Sequence, residues 1–511
     1  MPKRFFLTKS RLTAYHQCKR RLWLEVHRRD LLKESVAIQR KFAIGPEVGE
    51  LARAQYPNGV LIGYHGASHR ALSETTETLA ARPKRPVFEA AALHDDVLVR
   101  ADLLLPVRGG FHMAEVKSST KVKPYHLNDV AVQTWVMRKS GLPLKSVEVR
   151  HINSQYVYPG NNDYRGIFTS GDVGADVEKL QSEVPRWISD ARAALERSEP
   201  DVATGKHCDD PFECPFKEHC SSLEDPGPDY PVSLLPGAKG AKVAAKLAGL
   251  GLSDLCKVPP SRITGDERLR RIHTATRSGK PYLSRAARKL VNAWPYPRYY
   301  LDFETINFAV PRWAGTRPYQ QIPFQWSCHI ENKNGQLDHK EFLDVSGDDP
   351  MRSCAESLVA SLGAEGPIIA YAAGFERGVV ERLANQFHDL RKPLTSIANR
   401  IVDLLPVVRD HYYHRDMKGS YSIKAVLPTI APELVYSSLG EVQDGGGAQD
   451  AYLEAIHPQT SSDRRRTLRQ DLLDYCERDT LAMIRVAKAL SHRALHVRQH
   501  QRKGVGLDGN Q

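Results

Sequence analysis

Apolar residues recur with two different periods along the chain and outline two α/β regions separated by a short helical stretch. In residues 1–225, VLVRADLLLPV (97–107) and FHMAEVKSS (111–119) read as strands joined by the turn signal RGG. Apolar positions three and four apart predict helices near 9–27, 38–56 and 124–140, and another along DVEKLQSEVPRWISDARAALERSE (176–199). EDPGPDYPVSLLPGAKG (224–240) is rich in Pro and Gly and reads as a linker. Residues 226–290 are expected to form a small helical linker. In residues 291–495, PRYYLDFETI, FQWSCHI, KEFLDV and PIIAYA read as strands, with helices at 375–387 and 468–491. The His-, Arg-, Gln- and Gly-rich residues 496–511 read as a disordered basic tail. The expected class is α/β.

Within the linker, LAGLGLSDLCKVP (247–259) resembles a helix–turn–helix hairpin that grips DNA backbone through a Gly turn. A plain connecting helical subdomain is the alternative.

Composition narrows the function classes. No apolar run approaches the roughly 20 residues of a membrane span. The N-terminal stretch is basic and lacks an apolar h-region, so no signal peptide and a cytoplasmic protein are expected. The net charge of +12 favours a polyanionic partner, nucleic acid before membrane.

YYLDFETI (299–306) raises a physical problem. Asp302 and Glu304 interrupt a core strand two positions apart, so both carboxylates point to one face, about 7 Å apart along the chain. In IIAYAAGFERGVVERLA (368–384) a strand runs through a Gly turn into a helix that carries Glu376 at its start. In LLDYCERDTLAMIRV (472–486) Tyr475 and Asp479 stand at i and i+4 on one helix face. Four converging carboxylates are costly when buried unless cations offset them. Two Mg²⁺ or Mn²⁺ ions would do so, and a paired-metal site suits phosphodiester hydrolysis. A Tyr one turn from a ligand is placed to orient or deprotonate the attacking water.

This D-x-E, acid after Phe, and Y-x-x-x-D order resembles the DnaQ-like, DEDDy-type 3′–5′ exonucleases over roughly 295–490. The resemblance implies a ribonuclease-H-like fold and two metal ions. It implies metal ligands at Asp302, Glu304, Glu376 and Asp479, with Tyr475 positioning the water. Glu376 stands where the family usually has Asp, and Ala372 where it has Asn. GSYSIKAVLP (419–428) resembles a stretch of bacterial exonuclease-like domains fused to RecB-type nucleases.

The first region has its own acids. Asp102 is read as ending an apolar strand, and Glu115 and Lys117 share a face of the next. An Asp and a Glu can hold a divalent ion, with a Lys beside them stabilising transition-state charge. Gln133 follows on a helix. The order D…E-x-K…Q resembles the RecB-like branch of the PD-(D/E)XK nucleases, which have a restriction-endonuclease-like fold. It implies Asp102 and Glu115 as metal ligands, Lys117 as catalytic and Gln133 as an active-site residue. The branch often carries another His or acid on an early helix. GPEVGELA (45–52) occupies that place, with Glu50 or Glu47 as the candidate.

Three of the eight cysteines fall in HCDDPFECPFKEHC (207–220), separated by two gaps of five residues. Cys208, Cys214 and Cys220 need a fourth thiolate, and Cys18 is the distant choice. Zinc sites favour gaps of roughly two to four residues. One early Cys and three late ones resemble the iron–sulfur nucleases of the AddB and CRISPR-associated RecB-like type. The resemblance implies a structural 4Fe–4S cluster that staples the ends of the domain, with Zn²⁺ (and His207 or His219) as the alternative. The flanking Lys19, Arg20 and Arg21 are candidate phosphate contacts.

The reading is therefore a RecB-like nuclease over 1–225 joined to a DnaQ-like exonuclease over 291–495, acting on nucleic acid, with DNA favoured over RNA by family analogy. Its rivals are an RNA-processing exonuclease on a non-catalytic first domain, and a binding scaffold whose two sites have decayed.

Overall fold

The computed structural model describes residues 5–63, 68–81, 83–434 and 436–491, so the tail expected over 496–511 lies outside the described residues. The chain divides into two units: Met1–Pro226 with Asn307–Gln320, and Gly227–Ile306 with Gln321–Gln511. Both are α/β.

The first unit is built on a seven-stranded mixed sheet. Its strands are β1 (Leu7–Thr8), β2 (Val60–Leu61), β3 (Val87–His94), β4 (Val97–Val107), β5 (Gly110–Lys117), β6 (Leu144–Ile152) and β7 (Phe168–Asp172). They run β2-β3-β4-β5-β6-β7, and β1 adds in parallel at Val97 and Leu98. Strand β4 alternates as its sequence demands: Val97, Val99, Ala101 and Leu103 are buried, while Leu98, Arg100 and Asp102 are less so. Asp102 is mid-strand, not at a strand end. The apolar run beyond it keeps pairing, from Leu103 opposite Ala114 to Val107 opposite Gly110, and Gly109 makes the turn at φ +77°.

Three helices matter here: α1 (Lys9–Gln17), α2 (Lys19–His27) and α3 (Pro124–Lys139). The single helix expected over 9–27 is broken at Cys18, whose backbone is extended (φ −163°, ψ 126°). Gln17 Nε2 donates to the His207 and Phe212 carbonyls, both at 2.6 Å, and this long-range anchor holds the break. Helix α3 begins on Pro124, a residue pre-shaped for a first helical turn, and buries Val130, Val132, Val136 and Met137 in the sheet's core.

The second unit holds a five-stranded sheet of β8 (Arg298–Ile306), β9 (Ile322–Glu331), β10 (Leu337–Leu343), β11 (Ile368–Ala370) and β12 (Ile401–Asp403). The order is β10-β9-β8-β11-β12. Pairing is antiparallel between β9 and both its neighbours, and parallel across β8-β11-β12. The strand carrying Asp302 and Glu304 is thus the middle one.

Its helices include α4 (Gly237–Ala248), α5 (Glu267–Ser278), α6 (Gly374–Gln386), α7 (Gly445–Ala455) and α8 (Ser462–Ser491). Helix α8 starts six residues before the expected 468 and buries Leu472, Leu473, Cys476, Met483 and Ile484. The helices of 226–290 belong to this unit: Leu247, Leu269 and Ile272 share one core with Tyr300, Ile369 and Met483.

At 247–259 no second α-helix follows the Gly turn, so the hairpin resemblance is not reproduced and the plain connecting alternative describes the segment. Helix α4 stops where Gly251 (φ +73°) lets Leu252 N–H cap the Leu247 carbonyl at 3.0 Å. Leu255 and Val258 then sink into the core, Pro259 and Pro260 block a helix, and α5 begins only at Glu267.

Candidate functional site

In the second unit, three of the four predicted acids converge. Asp302 and Glu304 come from β8 and Asp479 from α8, and their carboxylate oxygens lie within 4.8 Å of one another. Glu376 stands outside that group. It is buried at the start of α6 (3 % exposed), and its Oε2 has no hydrogen-bond partner among the described residues. Asp302 lies at the middle of β8 and Glu304 in its second half, and Glu376 follows the carboxyl end of β11.

The electrostatics match the crowding. Burial raises Asp302 well above the carboxylate range, and the charges of Asp479, Glu304 and Glu376 add to it. Burial and Asp479 push Glu304 up to about 8, against the pull of Lys424. Burial also pushes Glu376 up to about 7. Asp479 is raised by burial, with relief from a Tyr436 hydrogen bond, Lys424 and Tyr475.

Two tyrosines stand on Asp479. Tyr436 O–H donates to Asp479 Oδ1 at 2.5 Å. Tyr475, one turn before Asp479, is 3 % exposed, and burial plus the charges of Asp479, Glu304 and Asp302 hold its phenol far above its ordinary value. The Lys424 ammonium sits 4.9 Å from the Tyr436 ring centre and 5.1 Å from that of Tyr475. Cys476 Sγ lies 3.7 Å from Asp302 Oδ2.

Sequence reasoning missed Tyr436 altogether, because nothing in its local pattern marks it. Lys424 lies inside GSYSIKAVLP, which was singled out only as a stretch. Gly445, the first residue of α7, leaves room beside Glu304: a Cβ there would stand 3.9 Å from Glu304 Oε2.

In the first unit, β4, β5 and α3 bring the predicted set together. Glu115 is 2 % exposed. Its Oε1 meets Lys9 Nζ at 2.5 Å and Lys117 Nζ at 2.9 Å, and its Oε2 accepts from Gln133 Nε2 at 2.6 Å. Lys117 also bonds Asp129 Oδ2 at 2.8 Å, and Thr13 Oγ1 donates to Asp129 Oδ1 at 2.9 Å. Asp102 Oδ2 accepts the Val116 N–H at 2.7 Å. Burial alone would raise Glu115, but Lys117 and Lys9 overcome it and hold this acid below the carboxylate range. Burial and the Glu115 charge push Asp102 up to about 7.

Glu47 and Glu50 are exposed, and the charges acting on Asp102 come from Glu115, Lys9, Glu89 and Lys117. Glu89 carries a left-handed backbone (φ +56°) on β3, an uncommon state for a non-glycine residue. Lys9, Glu89 and Asp129 were not read from the sequence. Asp129 was legible in principle, standing four residues before Gln133 on one helix face.

The four cysteines Cys18, Cys208, Cys214 and Cys220 line one small pocket together with Arg20, Arg21 and His207. All four are free thiols. Burial pushes Cys214 up to about 11 and raises Cys220. Arg20 and Arg21, expected on phosphates, are engaged within the unit: Arg20 Nε bonds Glu199 at 2.6 Å and Arg21 Nε bonds Glu25 at 2.9 Å. Lys19 is exposed.

A family model described as a domain of unknown function, DUF2779, matches residues 299–422. That span includes Asp302, Glu304 and Glu376 and ends before Lys424, Tyr436, Tyr475 and Asp479. No curated protein and no solved structure matches the chain.

Proposed function

We propose that the chain is a metal-dependent nuclease whose principal catalytic centre is the acid cluster of the second unit. The observation that carries this reading is the convergence of Asp302, Glu304 and Asp479 within 4.8 Å beside Tyr475. The Glu376 Oε2, without a partner among the described residues, and the raised carboxylates fit a site made for cations. Hard oxygen donors suit Mg²⁺ or Mn²⁺, which supply Lewis-acid stabilisation of the attacking and leaving oxygens. Asp302, Glu304 and Asp479 are the holding residues, with Glu376 as the outlying fourth. Tyr475, one turn before Asp479, is placed to orient or deprotonate the attacking water. Hydrolysis forms a bond from the water oxygen to phosphorus and breaks the ester P–O bond, and a water proton ends on the leaving oxygen. The α/β fold with its acids on the middle strand supports the DnaQ-like resemblance, and DNA is the favoured substrate.

The first unit supports a second, RecB-like centre through Asp102, Glu115, Lys117 and Gln133. A platform role without catalysis is the competing reading. It is favoured by Lys9, Lys117 and Gln133, which already satisfy Glu115.

The cysteines fit an iron–sulfur cluster better than one zinc ion. Thiolates about 2.3 Å from a single zinc stand roughly 3.8 Å apart. Among the described residues, the groups of three or more ligand atoms that close to within 4.8 Å include no cysteine.

The test is cleavage of end-labelled single-stranded DNA and RNA by the full chain, with Mn²⁺ and with EDTA. Asp302→Asn is expected to abolish the main activity, and Asp102→Asn to remove any second activity. Undiminished cleavage by both variants would sink the catalytic reading. Loss with Asp302→Asn alone makes the first unit a platform.

A further inference from the structure

On the face of the second sheet covered by α8 lies another set of ligand atoms. His329 on β9 and His339 on β10 are directly paired across the strands, and their rings are 4.5 Å apart, centre to centre. Glu477 on α8 faces them. Its Oε1 is 3.9 Å from His329 Nε2 and 4.0 Å from His339 Nδ1. All three ligand atoms lie within 4.8 Å of one another.

Buried hydroxyls stand behind the rings. His329 Nδ1 lies 2.8 Å from Thr480 Oγ1 and His339 Nε2 lies 2.9 Å from Ser327 Oγ, while Thr480 Oγ1 also reaches the Glu477 carbonyl at 2.9 Å. With the rings donating through these far nitrogens, His329 Nε2 and His339 Nδ1 turn lone pairs toward Glu477 Oε1.

We propose that His329, His339 and Glu477 bind a Zn²⁺-class divalent cation. Two imidazoles and one carboxylate are a donor set of three-ligand zinc sites, and an acceptor holding each far ring nitrogen, here a hydroxyl oxygen, orients such ligands. Bonds of about 2.1 Å at tetrahedral angles separate ligand atoms by about 3.4 Å. The two Glu477 distances of 3.9 and 4.0 Å close by a sub-ångström movement of Glu477, whose side chain is 46 % exposed, and the two ring nitrogens, within 4.8 Å of each other, close by small rotations of the imidazoles. That exposure also leaves a coordination position open to water.

The site is separate from the acid cluster. Glu477 and Asp479 are two residues apart on α8, about 200° around the helix. An ion there ties α8, which carries Tyr475 and Asp479, to the β9–β10 hairpin. The site stands whether or not the acid cluster is catalytic.

The experiment is equilibrium dialysis of the metal-stripped full chain against Zn²⁺, with Mg²⁺ in large excess to fill oxygen-only sites. Thermal melts are run in parallel. Wild type is expected to bind one ion that His339→Ala and Glu477→Gln lose, with affinity falling at least about 100-fold. The same ion should persist in Asp302→Asn and in Cys214→Ser, and should raise the melting temperature only where it binds. Glu477→Gln, at a part-exposed position, keeps the test alive if His339→Ala fails to fold. The proposal is overturned if Glu477→Gln binds zinc as wild type does, or if Asp302→Asn or Cys214→Ser is the variant that loses the ion.

Discussion

Tyr436 donates its phenol proton to Asp479 at 2.5 Å, so a residue 43 positions earlier in the chain aims the acid supplied by α8. The bond leaves the other Asp479 oxygen to the cluster and lowers the cost of its charge. Tyr436→Phe removes the bond while keeping the ring that Lys424 stacks on. Mn²⁺ affinity at the cluster is expected to weaken by about 10–100-fold, as for lost supports of metal ligands. Mn²⁺ titration followed by electron paramagnetic resonance reads this directly. Unchanged affinity would show that Asp479 orients itself.

The acid cluster sets a pH dependence whose sign is fixed. Glu304 moves from an ordinary value of 4.5 up to about 8, and Glu376 from 4.5 up to about 7. Between those limits the folded chain holds protons that the unfolded chain has released, so stability falls as pH rises. In EDTA, the melting temperature of the second unit should drop by on the order of 10 °C between about pH 5.5 and 8.5. Asp302→Asn should flatten that slope by removing one of the repelling charges, and Mg²⁺ should abolish it in wild type. A melting temperature that climbs over this range in EDTA would contradict the raised carboxylates.

Much of this was legible before any coordinates. The D-x-E alternation on a core strand, Glu376 at a helix start and the i, i+4 pair of Tyr475 and Asp479 are all local patterns, and local patterns report which face a side chain takes. Partners drawn from elsewhere are different. Tyr436 reaches Asp479 and Lys9 reaches Glu115 only because the chain folds back, and neither carries a local mark. The break at Cys18 was hidden for the same reason: helical spacing continues through it, and the anchor that enforces it is Gln17 on the distant His207 and Phe212 carbonyls. At 247–259 the Gly-rich turn was visible in the sequence, while the burial of Leu255 and Val258 that follows it was not.

Lys117 and Lys9 both neutralise Glu115, but unequally. Lys117 bridges Glu115 and Asp129, whereas Lys9 bonds Glu115 alone among these acids. Removing one partner of a buried ion pair costs about 3–5 kcal/mol when nothing replaces it. Lys117→Met, which strands two acids, is expected near that range, and Lys9→Met at about half of it. Urea melts of the two variants check the order. Divalent cation should recover more stability in Lys117→Met than in wild type, since it replaces the lost charge. Equal losses would mean that Asp129 does not depend on Lys117.

The cysteine pocket predicts colour. Full chain purified without oxygen should absorb broadly in the visible and carry iron, and Cys18→Ser or Cys214→Ser should lose both. Because Cys18 joins α1 and α2 to the segment holding the other three thiols, the same variants should expose 200–222 to protease first. Colourless protein whose zinc content falls in Cys214→Ser would replace the iron–sulfur assignment with zinc.

Ala372 has φ +65°, a left-handed backbone that costs an alanine roughly 1 kcal/mol. Its N–H donates to Asp403 Oδ1 at 3.0 Å, and this bond ties the end of β11 to the end of β12 where the chain turns toward Glu376. The DnaQ-like resemblance puts Asn at this position, and Asn tolerates left-handed backbone better than Ala does. The residue is exposed, so a larger side chain has room. Ala372→Asn is therefore expected to stabilise the second unit by about 0.5–1 kcal/mol, while Ala372→Gly gains less because glycine loses more freedom on folding. The neighbouring Ala373 is buried with φ −51°, so Ala373→Gly should only destabilise, by about 1 kcal/mol. Chemical denaturation of the three variants decides the matter: if Ala372→Asn is less stable than wild type, the left-handed turn leading to Glu376 is not under strain.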